Sequence, residues 1–265
     1  MAEIRRAGRD VEGCRAEPSE SNRAISGHCD AQLIFQKTDA RGSMQVDHNA
    51  EIAAAAKSLL APLGCVRKGR SRTWLDDHGW WVAVVEFQPS GWSKGSYLNV
   101  AASYLWKPAL TESVLSFDAR MDPRPWRDAV EGESFAGKAK ELASIARESL
   151  ARLRAHHRSI ALAADWLHSQ RIEGTLWQDY HLGIAFGLSQ RVEMAQHHFR
   201  VAIEHSSEIE WVATLGRECA AYASLVEDRE AFRAAVLKRI QAARVALKLP
   251  TVDPQILQPE PGKGC

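Results

Sequence analysis

Two kinds of hydrophobic pattern divide the chain near residue 130. From Asp47 onward, apolar side chains recur at helical spacing, and Asp47 and Gly64 are of the types that cap the start and the end of a helix. Residues 65–120 instead alternate between apolar and polar positions, which predicts strands within residues 65–75 and at residues 80–88, 97–106 and 114–120, with a hairpin turn at residues 76–79. Because the connecting loops are short, we expect a small antiparallel sheet with the first helix covering one face.

Beyond a proline-containing loop at residues 121–126, the whole pattern is helical. One apolar stripe is formed by Phe135, Ala139, Leu142, Ala146 and Leu153. A second stripe is formed by Ile160, Ala164 and Leu167, and further helices are predicted near residues 176–189, 192–206, 211–226 and 229–248. The predicted fold class is therefore α+β, with a sheet domain at residues 44–130 and an all-α domain of helical hairpins at residues 131–249.

The two ends of the chain lack both patterns. Residues 1–43 mix charged residues with glycine, proline and serine, and residues 250–265 are rich in proline. Such segments bury too little apolar area to offset the entropy that ordering them would cost. We predict that both ends are disordered.

Composition places the chain among ordinary globular proteins. Of its 265 residues, 45% are hydrophobic and 25% are charged, and the formal net charge is +1. A net charge so close to zero argues against a protein that binds nucleic acid or anionic membranes over its whole surface. No apolar run is long enough for a membrane-spanning helix, so we expect no membrane partner.

The cysteines indicate a reducing compartment. There are five of them, an odd number, and no pair has the C-x-x-C spacing. This pattern predicts reduced thiols and a cytoplasmic location. Cys65 and Cys219 lie within apolar segments and are predicted to be core residues.

The helical half contains an internal repeat with a period of 33 residues. The identical pairs are Leu182 and Leu215, Gly183 and Gly216, Phe199 and Phe232, and Ala202 and Ala235. These spacings resemble two degenerate tetratricopeptide repeats at residues 177–248. The resemblance implies a stack of helical hairpins whose concave face binds peptides or proteins. The alternative is a helical bundle that only supports the sheet domain. In both cases the glycines let paired helices approach closely, and the two phenylalanines fill the gap between hairpins.

The sheet half presents aromatic, Gln and Asn positions in a fixed order. They fall at residues 63–70, at Trp74, at residues 84–90 and at residues 97–100. In this order they resemble the bacterial domain of unknown function family numbered 4304. The resemblance implies an α+β fold and a bacterial cytoplasmic setting, with some relatives that look like parts of toxin–immunity or mobile-element loci. It implies no particular reaction.

Tryptophan is concentrated in the sheet half, which indicates a protein-binding surface. Trp80 and Trp81 are adjacent in a predicted strand and therefore face opposite sides, so one of them is exposed if a single side is covered. Interfaces concentrate their binding energy on such aromatic anchors. The predicted protein-binding residues are Trp81, Trp92, Tyr97, Gln88 and Asn99. The alternative is that the helical half covers the second side of the sheet.

A basic run beside these rings supports a second hypothesis. Cations next to stacking rings are what single-stranded nucleic acid requires. The candidate nucleic-acid-binding residues are Arg67, Lys68, Arg70, Arg72 and Trp74. The competing interpretation is a solvated strand edge that charge protects against aggregation.

The sequence lacks recognisable metal, cofactor and catalytic motifs. The ten histidines form no H-E-x-x-H and no zinc-spaced set with cysteine, and His181 is predicted to be a hydrogen-bonded packing residue. The paired carboxylates of Asp76 and Asp77 fall in a predicted exposed turn. We therefore predict no metal and no cofactor. A hydrolase without a motif is a third hypothesis, and it predicts a concave pocket that holds a group with a strongly shifted pKa.

Non-catalytic protein binding is the function that these patterns favour. The aromatic sheet domain would supply the anchor, and the helical domain a second surface or a rigid support. Immunity-type inhibition of a toxin is one concrete form of this hypothesis.

Overall fold

The sheet and the helices share one hydrophobic core. The structure is a computed structural model that describes residues 47–90, 94–111, 113–122, 124–170, 175–205 and 209–257. These residues contain seven α-helices and a six-stranded antiparallel sheet. The mixed α+β character predicted from the sequence is therefore confirmed. All described residues belong to the same compact unit, and none of the described helices is both long and apolar enough to cross a membrane.

The first helix, α1 (His48–Leu60), begins where the sequence predicts and ends one turn earlier than predicted. The Asp47 carboxylate accepts a hydrogen bond from the Asn49 backbone N–H at 2.9 Å. A short 3-10 turn then leads to Gly64, whose φ of +88° is unfavourable for residues with a Cβ. The predicted N-cap is confirmed, whereas Gly64 ends the 3-10 turn rather than α1 itself, whose C-cap is Ala61.

The sheet follows chain order across most of its width. Its strands are β1 (Val66–Arg67), β2 (Thr73–Asp77), β3 (Trp81–Pro89), β4 (Gly95–Tyr104), β5 (Ala119–Arg120) and β6 (Trp126–Asp128). Strands β5 and β6 both pair with β4, β5 opposite its second half and β6 opposite its start. The predicted fourth strand at residues 114–120 is reduced to β5, and the segment before it is irregular. β6 was not predicted, because its pairing depends on the free edge of β4 rather than on its own pattern.

The helices after the sheet lie close to their predicted limits. They are α2 (Ala136–His156), α3 (Ile160–Ser169), α4 (Leu176–Leu188), α5 (Val192–Glu204), α6 (Glu210–Leu225) and α7 (Arg229–Ala246). Helix α2 packs on β3 and β4, and α1 packs along α2. The predicted stripes of α2 and of α3 are buried apart from Ile160 at the start of α3, and Cys65 and Cys219 are core residues as expected.

Helix α4 is the centre of the helical half. It is buried from Asp179 to Leu188 and contacts α3, α5, α6 and α7. A Cβ on Gly183 would lie 2.5 Å from the Phe199 ring, so the predicted close approach of α4 and α5 is confirmed. Phe232 packs in the same way against Gly187. The second half of α4 is therefore enclosed by these neighbours.

The segment after α7 folds back onto the turn between β2 and β3. Pro254–Leu257 forms a 3-10 turn, Leu257 is buried, and Ile256 packs against Gly79. The predicted disorder therefore does not hold for residues 250–257. Residues 1–43 and 258–265, for which disorder was also predicted, lie outside the described residues.

Candidate functional site

The aromatic platform predicted at Trp81 is wrong, because this side chain is only 1% exposed. Its ring lies between His78 and His157, with centroid distances of 4.4 and 4.5 Å. Trp80 is also buried and stacks on Trp106 at 5.1 Å. The helical layer covers both rings, which is the alternative that the sequence left open. Trp92 lies outside the described residues.

The other three predicted protein-binding residues lie together on one face of the sheet. Tyr97 and Gln88 are cross-strand partners, and Tyr97 is 37% exposed and packs on Trp126 at 4.4 Å. The buried amide of Asn99 donates to Gln88 Oε1 at 2.8 Å and accepts from Arg124 Nε at 2.8 Å. These bonds satisfy an amide that would otherwise be unfavourable in the sheet interior. Protein binding at this face stays a prediction.

The basic run is largely engaged in holding its own turn. Trp74 is buried, so it cannot provide the stacking ring that the nucleic-acid hypothesis needs. Arg67 donates to two backbone carbonyls of the β1–β2 turn at 2.7 and 3.0 Å. Arg72 donates to Asn49 Oδ1 on α1 at 2.6 Å. The exposed cations of the run are Lys68 and Arg70.

The turn carboxylates are also paired rather than free. Asp76 is buried and accepts from Arg154 Nε at 2.9 Å, and Asp77 accepts from Arg244. Burial alone would raise the pKa of each carboxyl group, but the hydrogen bonds from their partners outweigh burial and lower both pKa values. The predicted exposed pair is therefore a structural feature of the β2–β3 turn.

A cavity of about 760 Å³ lies between the β4–β5 connection and helices α3 and α4. Its aromatic walls are Phe117, Trp166 and Trp177. One part of its polar lining, called here the polar cluster, consists of Lys107, Ser116, Asp118 and His181, and Arg120, Asp122 and Gln178 also line the cavity. Sequence analysis did not detect this cavity, although it predicted that His181 is hydrogen-bonded.

Asp118 is the centre of the polar cluster. Its carboxylate accepts from the Tyr104 backbone N–H at 2.8 Å and faces Lys107 Nζ at 3.6 Å and His181 Nε2 at 3.5 Å. Burial would raise the pKa of Asp118, but His181 and Lys107 outweigh it and hold this pKa well below the usual range. Trp106 Nε1 donates to His181 Nδ1 at 3.1 Å, so the proton of the neutral imidazole is on Nε2 and faces Asp118.

Lys107 is the most unusual member of the polar cluster, because a lysine that is 1% exposed is rare. Its Nζ is hydrogen-bonded to Ser116 Oγ. Burial lowers the pKa of Lys107, and the attraction of Asp118 offsets this only in part. The cluster therefore holds a desolvated cation and its counter-ion at the wall of a cavity.

Backbone contacts fix the segment that carries the polar cluster. Tyr180 on α4 donates to the Trp106 carbonyl at 2.9 Å, and Arg239 on α7 donates to the Lys107 carbonyl at 3.2 Å. The Ser116 backbone N–H donates to Ser103 Oγ on β4 at 3.1 Å. The connection between β4 and β5, which includes a 3-10 turn at Ala109–Thr111, is thus held from three sides, and this keeps Lys107, Ser116 and Asp118 in position.

The buried ring of His157 predicts an acid-sensitive step in stability. Its Nδ1 donates to the Leu153 carbonyl at 2.9 Å and its Nε2 accepts from the Tyr104 hydroxyl at 3.0 Å. Burial lowers the pKa of His157 to about 4. The unfolded chain therefore takes up a proton at His157 near pH 6.5, whereas the folded protein does so only near pH 4. Because the unfolded state binds the proton more tightly, the free energy of unfolding falls as the pH is lowered from about 6.5 to about 4.

We expect the free energy of unfolding to fall by about 2 kcal/mol more in the wild type than in His157→Gln when the pH is lowered from about 7.5 to about 5. Urea denaturation of both proteins at the two pH values measures this difference. Equal losses in the two proteins would show that His157 is not the titrating group.

Comparisons of the chain with protein-family models, with curated proteins and with solved structures found no match. The resemblances to the family numbered 4304 and to tetratricopeptide repeats therefore stay predictions from the sequence. Within the described part of the chain, no group of three or more His, Cys, Asp or Glu side chains is placed to hold a metal ion.

Proposed function

We propose that the protein binds a small organic ligand in the cavity between the β4–β5 connection and helices α3 and α4. The observation that carries this proposal is the meeting of a buried Lys107–Asp118 pair with aromatic walls around one cavity of about 760 Å³. Ligand pockets have volumes of about 300–1,000 Å³ and combine apolar walls with a few convergent polar groups. The cavity has both features.

The composition of the walls indicates which kind of ligand fits. Trp166 and Trp177 are held in place by stacking, Trp166 on His156 at 4.9 Å and Trp177 on Trp211 at 5.8 Å. Large fixed rings favour a planar, mainly apolar ligand body. The polar cluster would then contact a polar group at one end of that ligand.

The cavity bears differently on the three functions that the sequence suggests. A concave pocket that holds groups with shifted pKa values was the feature expected of the motif-less hydrolase, and it supports ligand binding generally. Protein binding at the sheet face that carries Tyr97, Gln88 and Asn99 is a separate proposal, and ligand binding in the cavity neither supports nor contradicts it. Peptide binding at a concave face of the helical hairpins likewise stays a separate proposal.

A blocking substitution tests cavity binding without disturbing the core. Val114 lines the cavity but is 55% exposed, and Val130 is 42% exposed and does not line it. We expect Val114→Trp to abolish the binding of aromatic fragments, because the indole occupies the entrance, and Val130→Trp to leave binding unchanged. Ligand-observed NMR with a library of aromatic fragments measures this. Fragments that bind both variants equally, or no binding to the wild type, would contradict the proposal.

A further inference from the structure

We propose that Lys107 condenses with the carbonyl group of an aromatic aldehyde or ketone bound in the cavity, forming an imine. This proposal rests on the proposed function, because the carbonyl compound is the ligand of the cavity. It adds a covalent step and names the chemical class of the ligand.

The position of Lys107 Nζ suits a nucleophilic amine. The side chain is almost fully buried, and it lines the cavity rather than the protein surface. An amine condenses with a carbonyl only in its neutral form, and removal from water favours that form. The lowered pKa of Lys107 agrees with this environment.

The contacts of Nζ leave N–H donors that a carbonyl oxygen could use. A lysine ammonium has three N–H donors. Among the described residues, Nζ is hydrogen-bonded to Ser116 Oγ, and Asp118 Oδ2 at 3.6 Å lies beyond hydrogen-bond distance. A ligand oxygen in the cavity can therefore accept a bond from Nζ before the reaction.

Asp118 provides a counter-ion for both the starting state and the product. The ammonium carries one positive charge, and so does the protonated imine that replaces it. Because Asp118 stays ionised at neutral pH, the buried pair is charge-balanced before and after condensation. An unpaired buried cation would be strongly unfavourable, and this reaction never creates one.

The condensation needs only Lys107, Ser116 and the carbonyl compound, and its atoms and charges balance as follows. One proton moves from Nζ through Ser116 Oγ to the carbonyl oxygen while the nitrogen lone pair forms the C–N bond and the C–O π electrons move to oxygen. A second proton follows the same route, the C–O bond breaks and water leaves. The nitrogen lone pair then completes the C=N bond. The net change is that the ammonium and the carbonyl compound become a protonated imine and water, with no oxidant or reductant.

Reductive trapping on the wild-type protein tests this proposal. The probes are a panel of aromatic aldehydes, beginning with 4-methoxybenzaldehyde, each with sodium cyanoborohydride, which reduces an imine to a stable secondary amine. Peptide mass spectrometry then locates the adduct. We expect modification of Lys107 to exceed that of each exposed lysine, such as Lys68, by about tenfold or more, because the cavity raises the local concentration of the aldehyde.

Two variants and one control variant sharpen the assignment. Lys107→Arg keeps the charge but cannot condense, so the adduct on this peptide should disappear. Val114→Trp keeps the lysine and blocks the entrance, so it should lower the Lys107 adduct to the level of the exposed lysines, whereas Val130→Trp should not.

The corresponding aromatic alcohols separate the two proposals, because they bind without condensing. If aldehydes and alcohols bind in the cavity and only exposed lysines are modified, the imine is overturned and ligand binding stands. If neither class binds, both proposals fail. The wild-type measurement decides the outcome even if a variant does not fold.

Discussion

Arg244→Met is expected to lower the free energy of unfolding by about 2–3 kcal/mol, because the buried guanidinium makes four hydrogen bonds whose acceptors would lose their donor, although water can solvate the Asp77 carboxylate, which is 29% exposed. The guanidinium of Arg244 is almost fully buried. It donates to both carboxylate oxygens of Asp77 at 2.8 and 2.6 Å, to the Gly79 carbonyl at 2.8 Å and to the Pro250 carbonyl at 2.6 Å. Methionine has a similar length but no donors, so it would leave a carboxylate and two carbonyls without these bonds.

The reason for so large an effect is that Arg244 joins three parts of the molecule. From its position on α7, it donates to the β2–β3 turn at Asp77 and Gly79 and to the segment that follows α7 at Pro250. Losing it should loosen the packing of residues 250–257 as well as lower global stability. Urea denaturation at neutral pH measures the stability, and hydrogen exchange at residues 250–257 measures the local effect.

Arg191→Met is the matched control for this prediction. Arg191 also contacts both oxygens of one carboxylate, that of Asp165, but these two side chains are 40% and 54% exposed. Exposed pairs contribute about 1 kcal/mol or less, because water solvates both charges when the pair is broken. Similar losses in the two variants would show that burial of Arg244 is not the source of its contribution.

Gly183→Leu is expected to lower the free energy of unfolding by about 3 kcal/mol, since overpacking a close-packed core forces neighbouring groups apart. Even a Cβ at this position would lie 2.5 Å from the Phe199 ring. Phe199 is fully buried and contacts Tyr222 and Phe232, with ring centroids at 6.1 and 6.4 Å. The ring therefore cannot move aside without displacing the centre of the helical half.

Gly137→Leu separates this clash from the effect of removing a helical glycine. Gly137 lies near the start of α2, and a Cβ there would meet nothing within 4 Å. Leucine has a higher helix propensity than glycine, so this variant should be unchanged or slightly more stable. Thermal unfolding of both variants gives the comparison. A destabilised Gly137→Leu would mean that glycine itself, rather than space at Gly183, is required.

The predicted helices agree with the structure because their signals are local. The Asp47 cap, the Gly64 end and the stripes of α2 depend on residues within one or two helical turns of each other. Such patterns are present in the sequence before any tertiary contact forms. The same applies to β2, β3 and β4, whose limits were nearly correct.

The burial of Trp81 and Trp74 was not predictable in this way. A period of two residues assigns side chains to the two faces of a sheet, but it does not tell which faces another layer covers. In this protein the helices cover the face that carries both tryptophans. Residues predicted to bind partners therefore became part of the core, while Tyr97 on the other face stayed partly exposed.

The cavity was missed for a related reason. Lys107 has the sequence properties of a surface residue at the end of a strand, and His181 has those of a packing residue within an apolar helix. They meet at Asp118 only because the β4–β5 connection folds against α4. No local pattern links positions so far apart in the chain, so the sequence could not show that they form one site.

By itself, the sequence determined the α+β class, the helix limits and most strand limits, and the close helix packing at Gly183. These features follow from periodicity, capping and side-chain size, which act over a few residues. Only the tertiary structure decided which aromatic rings are buried and where Lys107, Ser116, Asp118 and His181 come together. Burial and the convergence of distant side chains depend on how whole layers pack, because desolvation and charge pairing are set by every group that surrounds a site.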